Sequence, residues 1–203
     1  MEGGQAYQQD RRVQWLPHND TDYYMEKLRH RMTIEEKYQE LLLIPSDVNL
    51  NFPMIREAVE PGDIVVELGV RKCVSTWALL ANKPQTLLSV DVVMPPEETL
   101  IEVGETAQKE GIKFRFIHND STQLLIPKFD VLFVDTLHLY SHIVKELWRY
   151  SEQVEKRIIF HDFRIPEVRA CVQDFLYNPN WSLEKESGLC NGLAVCKRIS
   201  RPV

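Results

Sequence analysis

The sequence lacks the long apolar runs of a membrane protein and the basic excess of a nucleic-acid-binding protein. No apolar stretch reaches the ~20 residues that a membrane-spanning helix needs. The 30 acidic residues outnumber the 24 basic ones, which gives a formal net charge of −6. Non-specific binding to nucleic acids requires a basic surface. We therefore expect neither a membrane nor a nucleic acid as a partner.

The sequence also has no C-x-x-C pair, and we expect no secretion signal. The chain has four cysteines, which are Cys73, Cys171, Cys190 and Cys196. None forms a C-x-x-C pair, and a chain of 203 residues can bury a core without disulfides. We expect reduced and mostly buried thiols. Arg11 and Arg12 precede no apolar segment, so no signal peptide is predicted and the expected location is the cytoplasm.

The three glycines of the dinucleotide fingerprint G-x-G-x-x-G are absent as well. The apolar run at residues 64–66 is instead followed by Glu67, Leu68 and one glycine, Gly69. An apolar, β-branched run of this kind predicts a buried strand. The end of the first strand in an open α/β sheet is where nucleotide-like ligands bind. The alternative is an ordinary strand end with a turn glycine.

A second strand, at residues 86–90, also ends in an acid, Asp91. An acid at this place can accept hydrogen bonds from both hydroxyls of a ribose. Glu67 and Asp91 around a single glycine turn therefore fit an adenosine ligand that carries no pyrophosphate.

Four motifs then follow one another in a characteristic order. They are E-L-G-V-R-x-x-V-S-T from Glu67, S-V-D-V-V from Ser89, F-D-V-L-F-V-D-T-L-H-x-Y from Phe129 and R-I-I-F-H-D-F from Arg157. Over residues 52–198 the sequence resembles the class I S-adenosylmethionine-dependent methyltransferases. It is most similar to the small O-methyltransferases and cephalosporin-hydroxylase-like proteins grouped as methyltransferase family 24. The chain departs from that family at Cys73, where a second glycine is usual. A side chain there either crowds the methionine end of the cofactor or points into the following helix.

The resemblance implies S-adenosylmethionine as the cofactor and a set of residues that bind it. The set is Glu67, Gly69, Val70, Ser75, Asp91, Asp120, Ser121 and Asp135. Asp120 and Ser121 follow the third predicted strand, at residues 113–117, and the matching pair in the family contacts adenine. The alternative is that this pair caps a helix, and both roles can hold together.

Two further strands, at residues 129–134 and 157–160, end in Asp135 and in His161 and Asp162. Neighbouring parallel strands would bring these three side chains to one edge of the sheet. There they can bind a divalent cation, transfer protons or form a structural cluster. Carboxylates suit Mg²⁺, which activates a coordinated hydroxyl, whereas imidazole is a poorer ligand for it. Asp135, His161 and Asp162 are the predicted metal ligands.

His138 lies three residues after Asp135, and these two are the predicted catalytic residues. A histidine can take a proton from a substrate hydroxyl near neutral pH. In some sugar O-methyltransferases that this sequence resembles, the histidine of the matching D-x-x-H is the base. The alternatives are a histidine that caps a helix or bonds to Asp135, and a zinc pair with His142 that lacks a third ligand.

The order of elements predicts an α/β fold. Strands alternate with helices, one of which is expected from Ser141 to Glu155, and a hairpin at residues 181–185 and 193–197 closes the chain. This pattern is typical of a Rossmann-like, doubly wound, mostly parallel seven-stranded sheet with a C-terminal antiparallel hairpin. Residues 1–50 are predicted to form an N-terminal tail and helical cap. Residues 51–203 are predicted to form the cofactor-binding part of the same structural domain.

The N-terminal tail carries two further predictions. Residues 1–22 are polar and are expected to begin disordered, with residues 15–17 as an anchor or a lid. Residues 23–43 are expected to form one or two helices, with Thr33 and Glu36 as a capping box.

Together these features predict an S-adenosylmethionine-dependent methyltransferase that methylates a hydroxyl of a small molecule. Mg²⁺ is a candidate metal cofactor that would activate this hydroxyl. One alternative is a cofactor-binding homologue without turnover. Another is a different reaction on the same fold, such as hydroxylation or NAD-linked oxidation. The sequence does not identify the acceptor, and it leaves a homo-oligomer open.

Overall fold

The computed structural model describes residues 32–199, which contain one seven-stranded sheet. The strands are β1 (Ile64–Leu68), β2 (Thr86–Asp91), β3 (Lys113–His118), β4 (Phe129–Val134), β5 (Val154–His161), β6 (Trp181–Ser187) and β7 (Leu193–Arg198). Their order in the sheet is β3-β2-β1-β4-β5-β7-β6. Strand β7 is antiparallel to both of its neighbours, and the other pairs are parallel. This architecture confirms the predicted fold class.

Six α-helices accompany the sheet in the described residues. They are α1 (Ile34–Leu43), α2 (Phe52–Ala58), α3 (Val74–Leu80), α4 (Glu97–Lys109), α5 (Tyr140–Tyr150) and α6 (Pro166–Phe175), with 3₁₀ turns at Asn49–Asn51 and Ser121–Gln123. Helix α1 begins at the predicted capping box. The Thr33 hydroxyl accepts the Glu36 amide at 3.2 Å, and the Glu36 carboxylate accepts the Thr33 amide at 2.8 Å.

One element boundary was predicted wrongly. The sequence pattern extended the helix from Ser141 to Glu155, but α5 ends at Tyr150 and Val154 already begins β5. The chain turns at residues 151–153, and the carbonyl of Gln153 accepts the Phe129 amide at 3.0 Å. Val154 stands four residues after Tyr150, so it fits the apolar stripe of the helix as well as the buried face of the strand.

The sheet is covered on both faces, which gives two apolar clusters. Strand β4 contributes Val131 and Phe133 to the cluster shared with α1–α4, and Leu132 and Val134 to the cluster shared with α5 and α6. All four side chains are buried. This two-sided burial explains why β4 is almost continuously apolar.

The parallel register aligns the carboxyl ends of the central strands. Leu68 pairs with both Val90 and Val134, and Val134 pairs with Phe160. The residues that emerge at this edge are Gly69, Asp91, Asp135 and His161. The predicted convergence of strand-end acids on one edge is therefore confirmed.

The predictions for residues 1–31 lie outside the described residues. They include the disordered start, the anchor or lid at residues 15–17 and the first part of the helix at residues 23–43. Within residues 32–199, none of the helices combines the length and the apolar character needed to cross a bilayer.

Candidate functional site

The turn after β1 requires a glycine. Gly69 has a φ of +85°, and a Cβ atom at this position would lie 1.9 Å from the backbone oxygen of Asp135. The amide of Asp135 in turn donates to the carbonyl of Leu68 at 2.8 Å. The ends of β1 and β4 are thus in direct backbone contact, which only a residue without a side chain permits.

Asp91 organises the loop that follows this glycine. Its Oδ2 atom accepts the amides of Val70 at 2.7 Å and Arg71 at 3.0 Å, and its Oδ1 atom accepts the Val93 amide at 2.8 Å. A carboxylate offers about four acceptor positions. Three are filled by the chain itself, so the contact of Asp91 with a ribose stays a prediction.

Glu67 lies in the interior below the loop. Its carboxylate is fully buried and accepts hydrogen bonds from Ser75 at 2.7 Å, Thr76 at 2.9 Å and Ser89 at 2.6 Å. Burial raises the pKa of Glu67 to about 7, although the three hydroxyl donors act in the opposite direction. Glu67 therefore ties β1 to β2 and to the first turn of α3, and its direct contact with a cofactor stays a prediction.

Two cavities open along the carboxyl edge. The β2-side cavity has a volume of about 410 Å³ and is lined by Gly69, Arg71, residues 90–93, residues 119–121, residues 135–137 and His142. The loop-side cavity has a volume of about 440 Å³ and is lined by residues 44–48, residues 70–72, Val74, Ser75 and Asp135. Together these walls include every predicted cofactor-binding residue except the buried Glu67.

Asp120 and Ser121 line the β2-side cavity, and both side chains already form hydrogen bonds within the chain. The Asp120 carboxylate accepts the Thr122 amide at 2.8 Å and so caps the 3₁₀ turn, as the capping alternative predicted. The Ser121 hydroxyl donates to Glu146 at 2.5 Å. The predicted adenine contacts of Asp120 and Ser121 stay predictions.

Glu146 is one residue at the site that the sequence did not predict. It is fully buried on α5 and also accepts from the hydroxyl of Thr136 at 2.8 Å and Nε2 of His142 at 3.2 Å. The hydrogen bond to Glu146 raises the pKa of His142. The available signal was an acid within the apolar stripe formed by Ile143 and Leu147.

The imidazole of His161 is surrounded by hydrogen-bond acceptors. Its Nε2 atom lies 2.9 Å from the carbonyl oxygen of Asp47. Its Nδ1 atom lies 3.1 Å from Oδ1 of Asp135 and 3.2 Å from Oδ2 of Asp162. Burial lowers the pKa of His161, but the hydrogen bonds to Asp135 and Asp162 outweigh it and raise the pKa to about 10. The ring is thus an imidazolium when these acceptors are its only partners.

The same group has the chemistry of a cation site. Asp135, His161 and Asp162 can each offer one ligand atom, all within 4.8 Å of one another. The Oδ1 atom of Asp162 is buried and has no hydrogen-bond partner among residues 32–199. The Asp47 carbonyl keeps a proton on Nε2 of His161, so loss of the other proton would direct the Nδ1 lone pair toward both carboxylates. These residues therefore fit a divalent cation.

His138 contacts Asp162 more closely than Asp135. Its Nε2 atom lies 2.5 Å from Oδ2 of Asp162 and 3.7 Å from Oδ1 of Asp135. The carboxylates of Asp135 and Asp162 raise the pKa of His138. Since Nε2 donates to Asp162, Nδ1 is the nitrogen that can accept a proton. His142 bonds to Glu146 instead, and among the described residues no group of three potential metal ligands contains both His138 and His142.

Cys73 does not face either cavity. Its side chain is fully buried in the cluster that contains Trp77 and Leu80, and its backbone has a left-handed φ of 60°. Burial raises the pKa of the thiol to about 12. Of the two alternatives for this position, the structure shows the inward-pointing side chain.

Comparisons with known proteins identify the fold. No protein-family model matches the sequence, and no curated protein matches it. A putative RNA methyltransferase from Pyrococcus horikoshii is similar at a TM-score of 0.57 with 13% identity, over 82% of this chain and 98% of that one. Magnesium protoporphyrin IX methyltransferase from Synechocystis, solved with bound S-adenosylmethionine, gives a TM-score of 0.56 with 14% identity over 87% and 97% of the two chains. A putative methyltransferase from Streptococcus mutans in complex with S-adenosylhomocysteine gives a TM-score of 0.53 with 12% identity. The match covers 77% of this chain and 100% of that one.

The strand order and these neighbours define the class of fold. The chain has the fold of class I S-adenosylmethionine-dependent methyltransferases. At 12–14% identity the likeness concerns the fold alone, and the family 24 branch remains a resemblance of sequence motifs.

Proposed function

We propose that the chain is an S-adenosylmethionine-dependent methyltransferase that acts on a hydroxyl of a small molecule. The observation that carries the proposal is the β2-side cavity at the carboxyl edge of this fold. Its volume of about 410 Å³ lies within the ~300–1,000 Å³ of small-molecule sites. It begins at the bare backbone of Gly69 and continues past Asp91 to Asp120 and Ser121.

The two cavities divide the cofactor between them in this proposal. Asp91, Asp120 and Ser121 would hold the adenosine in the β2-side cavity, and Val70, Ser75 and Asp135 would meet the methionine end. The cofactor supplies an activated methyl group on a sulfonium, so the main task of the protein is alignment. Gly69 and Asp91 perform it by fixing the backbone between the two cavities.

His138 and Asp162 supply the proton transfer that a hydroxyl acceptor needs. The carboxylate of Asp162 fixes the ring of His138 through Nε2. The Nδ1 atom can then take the hydroxyl proton as the oxygen attacks. Asp162 acts here as a positioning residue, because it touches the base and not the acceptor.

We further propose that a Mg²⁺ ion held by Asp135, His161 and Asp162 assists the methyl transfer. It would lower the pKa of an acceptor hydroxyl and fix its direction. Calorimetric titration with Mg²⁺ in buffers of different ionisation enthalpy measures the protons released. We expect release of about one proton at pH 8, because His161 must lose its Nδ1 proton to become a ligand. Binding without proton release would exclude His161 from the ligand set.

Charge favours a small acceptor over RNA. Several structural neighbours are described as RNA methylases, including those from Clostridium thermocellum and Streptococcus thermophilus. The present chain carries a net charge of −6, whereas RNA binding needs a basic surface. We therefore propose a small-molecule acceptor.

The side chain of Cys73 in the cofactor loop is the feature that makes the alternative of a cofactor-binding protein without turnover worth testing. That side chain lies in the core and outside both cavities. A methyltransferase is therefore favoured over this alternative.

Isothermal titration calorimetry of the full chain with S-adenosylhomocysteine tests the proposal. We expect one binding site, and we expect no binding of NAD⁺, which would need a pyrophosphate cradle. Asp91→Ala should weaken S-adenosylhomocysteine binding at least about tenfold, since a tenfold change needs only about 1.4 kcal/mol. Glu98→Ala, an exposed acid on α4, is the matched control. Binding of NAD⁺ alone, or equal affinities in wild type and Asp91→Ala, would contradict the proposal.

A further inference from the structure

Arg71 stands at the junction of the two cavities. It belongs to the walls of both, together with Asp135. The junction thus combines a guanidinium with a carboxylate. A ligand that extends from one cavity into the other would therefore have both residues along its path.

The backbone of Arg71 is fixed while its side chain is exposed. Its amide donates to Asp91 at 3.0 Å, and its φ is +47°. Its Nη1 atom lies 2.7 Å from Oδ2 of Asp47, but 71% of the Arg71 side chain is exposed. Exposed ion pairs contribute about 1 kcal/mol or less. The guanidinium can therefore change partners without moving the loop.

The segment around Asp47 does not depend on this ion pair. The carbonyl oxygen of Asp47 accepts a hydrogen bond from Nε2 of the buried His161 at 2.9 Å. A main-chain contact of this kind persists when the Asp47 carboxylate loses its partner. The wall of the loop-side cavity therefore stays in place after the guanidinium turns away.

We propose that Arg71 binds the carboxylate of the cofactor's amino-acid end in exchange for Asp47, while Asp135 accepts hydrogen bonds from the ammonium group. This assignment rests on the proposed function. A zwitterion needs one group of each charge, and the junction provides both. The planar guanidinium of arginine also matches a carboxylate in a bidentate geometry, which a lysine ammonium does not.

Lys72 provides a matched control. It is the next cation in the chain and lines the loop-side cavity but not the β2-side cavity. If positive charge near the loop were sufficient, Lys72 and Arg71 would contribute equally. The junction geometry assigns the role to Arg71 alone.

A comparison of two ligands distinguishes a contact of Arg71 with the ligand carboxylate from a general effect on binding. S-adenosylhomocysteine carries the amino-acid end, and 5′-methylthioadenosine keeps the adenosine and the sulfur but lacks that end. By calorimetry on the full chain, Arg71→Ala should weaken S-adenosylhomocysteine about tenfold or more, the range of a hydrogen bond between charged groups. It should leave 5′-methylthioadenosine within about twofold. Lys72→Ala should leave both affinities within the same limit.

Asp47→Asn tests the exchange itself. The substitution keeps the carbonyl that holds His161 but removes the anion that competes for Arg71. S-adenosylhomocysteine should bind up to about fivefold more tightly, the value of a surface ion pair, with no change for 5′-methylthioadenosine. Arg71→Gln, which keeps a polar side chain but removes the charge, should behave like Arg71→Ala and shows that the loss of affinity does not come from a folding defect.

Three results would overturn the assignment. They are an unchanged affinity of Arg71→Ala and Arg71→Gln for S-adenosylhomocysteine, an equal loss for both ligands, and weaker binding of S-adenosylhomocysteine by Asp47→Asn. Wild-type protein that binds neither ligand would overturn the proposed function, and the role of Arg71 with it. Wild-type protein that binds both ligands while one of the three results is obtained would overturn the role of Arg71 alone.

Discussion

At the scale of single residues, the buried carboxyl of Glu67 should leave a signature in the pH dependence of stability. Its pKa in the folded chain is about 7, above the ordinary value of 4.5. Its stabilising contribution is complete below the ordinary value and is lost as the pH rises through 7. We expect the free energy of unfolding of wild type to fall relative to that of Glu67→Gln by about 3 kcal/mol over this interval.

Urea denaturation of the two proteins at pH 4.5, 6 and 8 measures this difference. Comparison within one pH series cancels the contributions of the other titrating groups, because the variants share them. Parallel stability curves would show that the carboxyl of Glu67 ionises like an ordinary acid.

His138 should govern the pH dependence of methyl transfer. A base must be deprotonated to act, and the carboxylates of Asp135 and Asp162 raise its pKa above 6.5. We expect kcat/KM to rise with pH until it passes this raised pKa. Asp162→Asn removes one of the two anions, so the rise should move to lower pH. A pH–rate profile of wild type and Asp162→Asn measures the shift.

His138→Gln completes this test. It should lower kcat by about 10²–10⁴-fold, as loss of a general base does, and should leave the affinity for S-adenosylhomocysteine within about twofold. An unchanged kcat in His138→Gln would assign the proton transfer to another group.

At the scale of elements, the contact between the β1 turn and the end of β4 should tolerate no side chain. In Gly69→Ala the new methyl group would meet the backbone oxygen of Asp135, in a backbone conformation that alanine disfavours. We expect a loss of about 2–4 kcal/mol in the free energy of unfolding, together with loss of S-adenosylhomocysteine binding.

Gly104→Ala on α4 is the control for Gly69→Ala. Its new Cβ would lie 3.9 Å from a ring carbon of Phe114, which is ordinary contact, and alanine favours the helix. Thermal denaturation should show equal or higher stability for Gly104→Ala. A Gly69→Ala protein as stable as wild type would mean that the turn can adopt another path.

Helices and strands could be predicted where the local sequence pattern agrees with the position of the element in the fold. The run of β4 and the capping box of Thr33 and Glu36 are examples, since each is specified within a few residues. The boundary between α5 and β5 was missed because Val154 satisfies both periodicities. Contacts between distant segments, such as Asp47 with His161, have no local signal at all.

At the scale of the whole molecule, β4 should couple the two apolar clusters into one cooperative unit. Phe133 lies in one cluster and Leu132 in the other, and both are fully buried. Phe133→Ala and Leu132→Ala should each lower the Tm of a single transition by about 6 °C or more. Differential scanning calorimetry measures this. Two separate transitions in either variant would show that the faces unfold independently.

The position of the candidate site followed from topology, but its bonding did not. The sequence placed Gly69, Asp91 and Asp135 at one edge because parallel strands end together. It did not predict that Asp91 accepts hydrogen bonds from the loop amides or that Glu67 accepts them from three hydroxyls. It also did not predict that Glu146 accepts a hydrogen bond from Ser121. These partners depend on side-chain packing between elements, which periodicity does not encode.

Asp47 makes its two contacts through chemically different parts of the same residue. Every amino acid has the carbonyl that holds His161, whereas only an acidic side chain can form an ion pair with Arg71. Replacement at this position thus alters the guanidinium and spares the imidazole. A single substitution at residue 47 can therefore change how strongly Arg71 is held while the carbonyl contact that fixes the proton on Nε2 of His161 is retained.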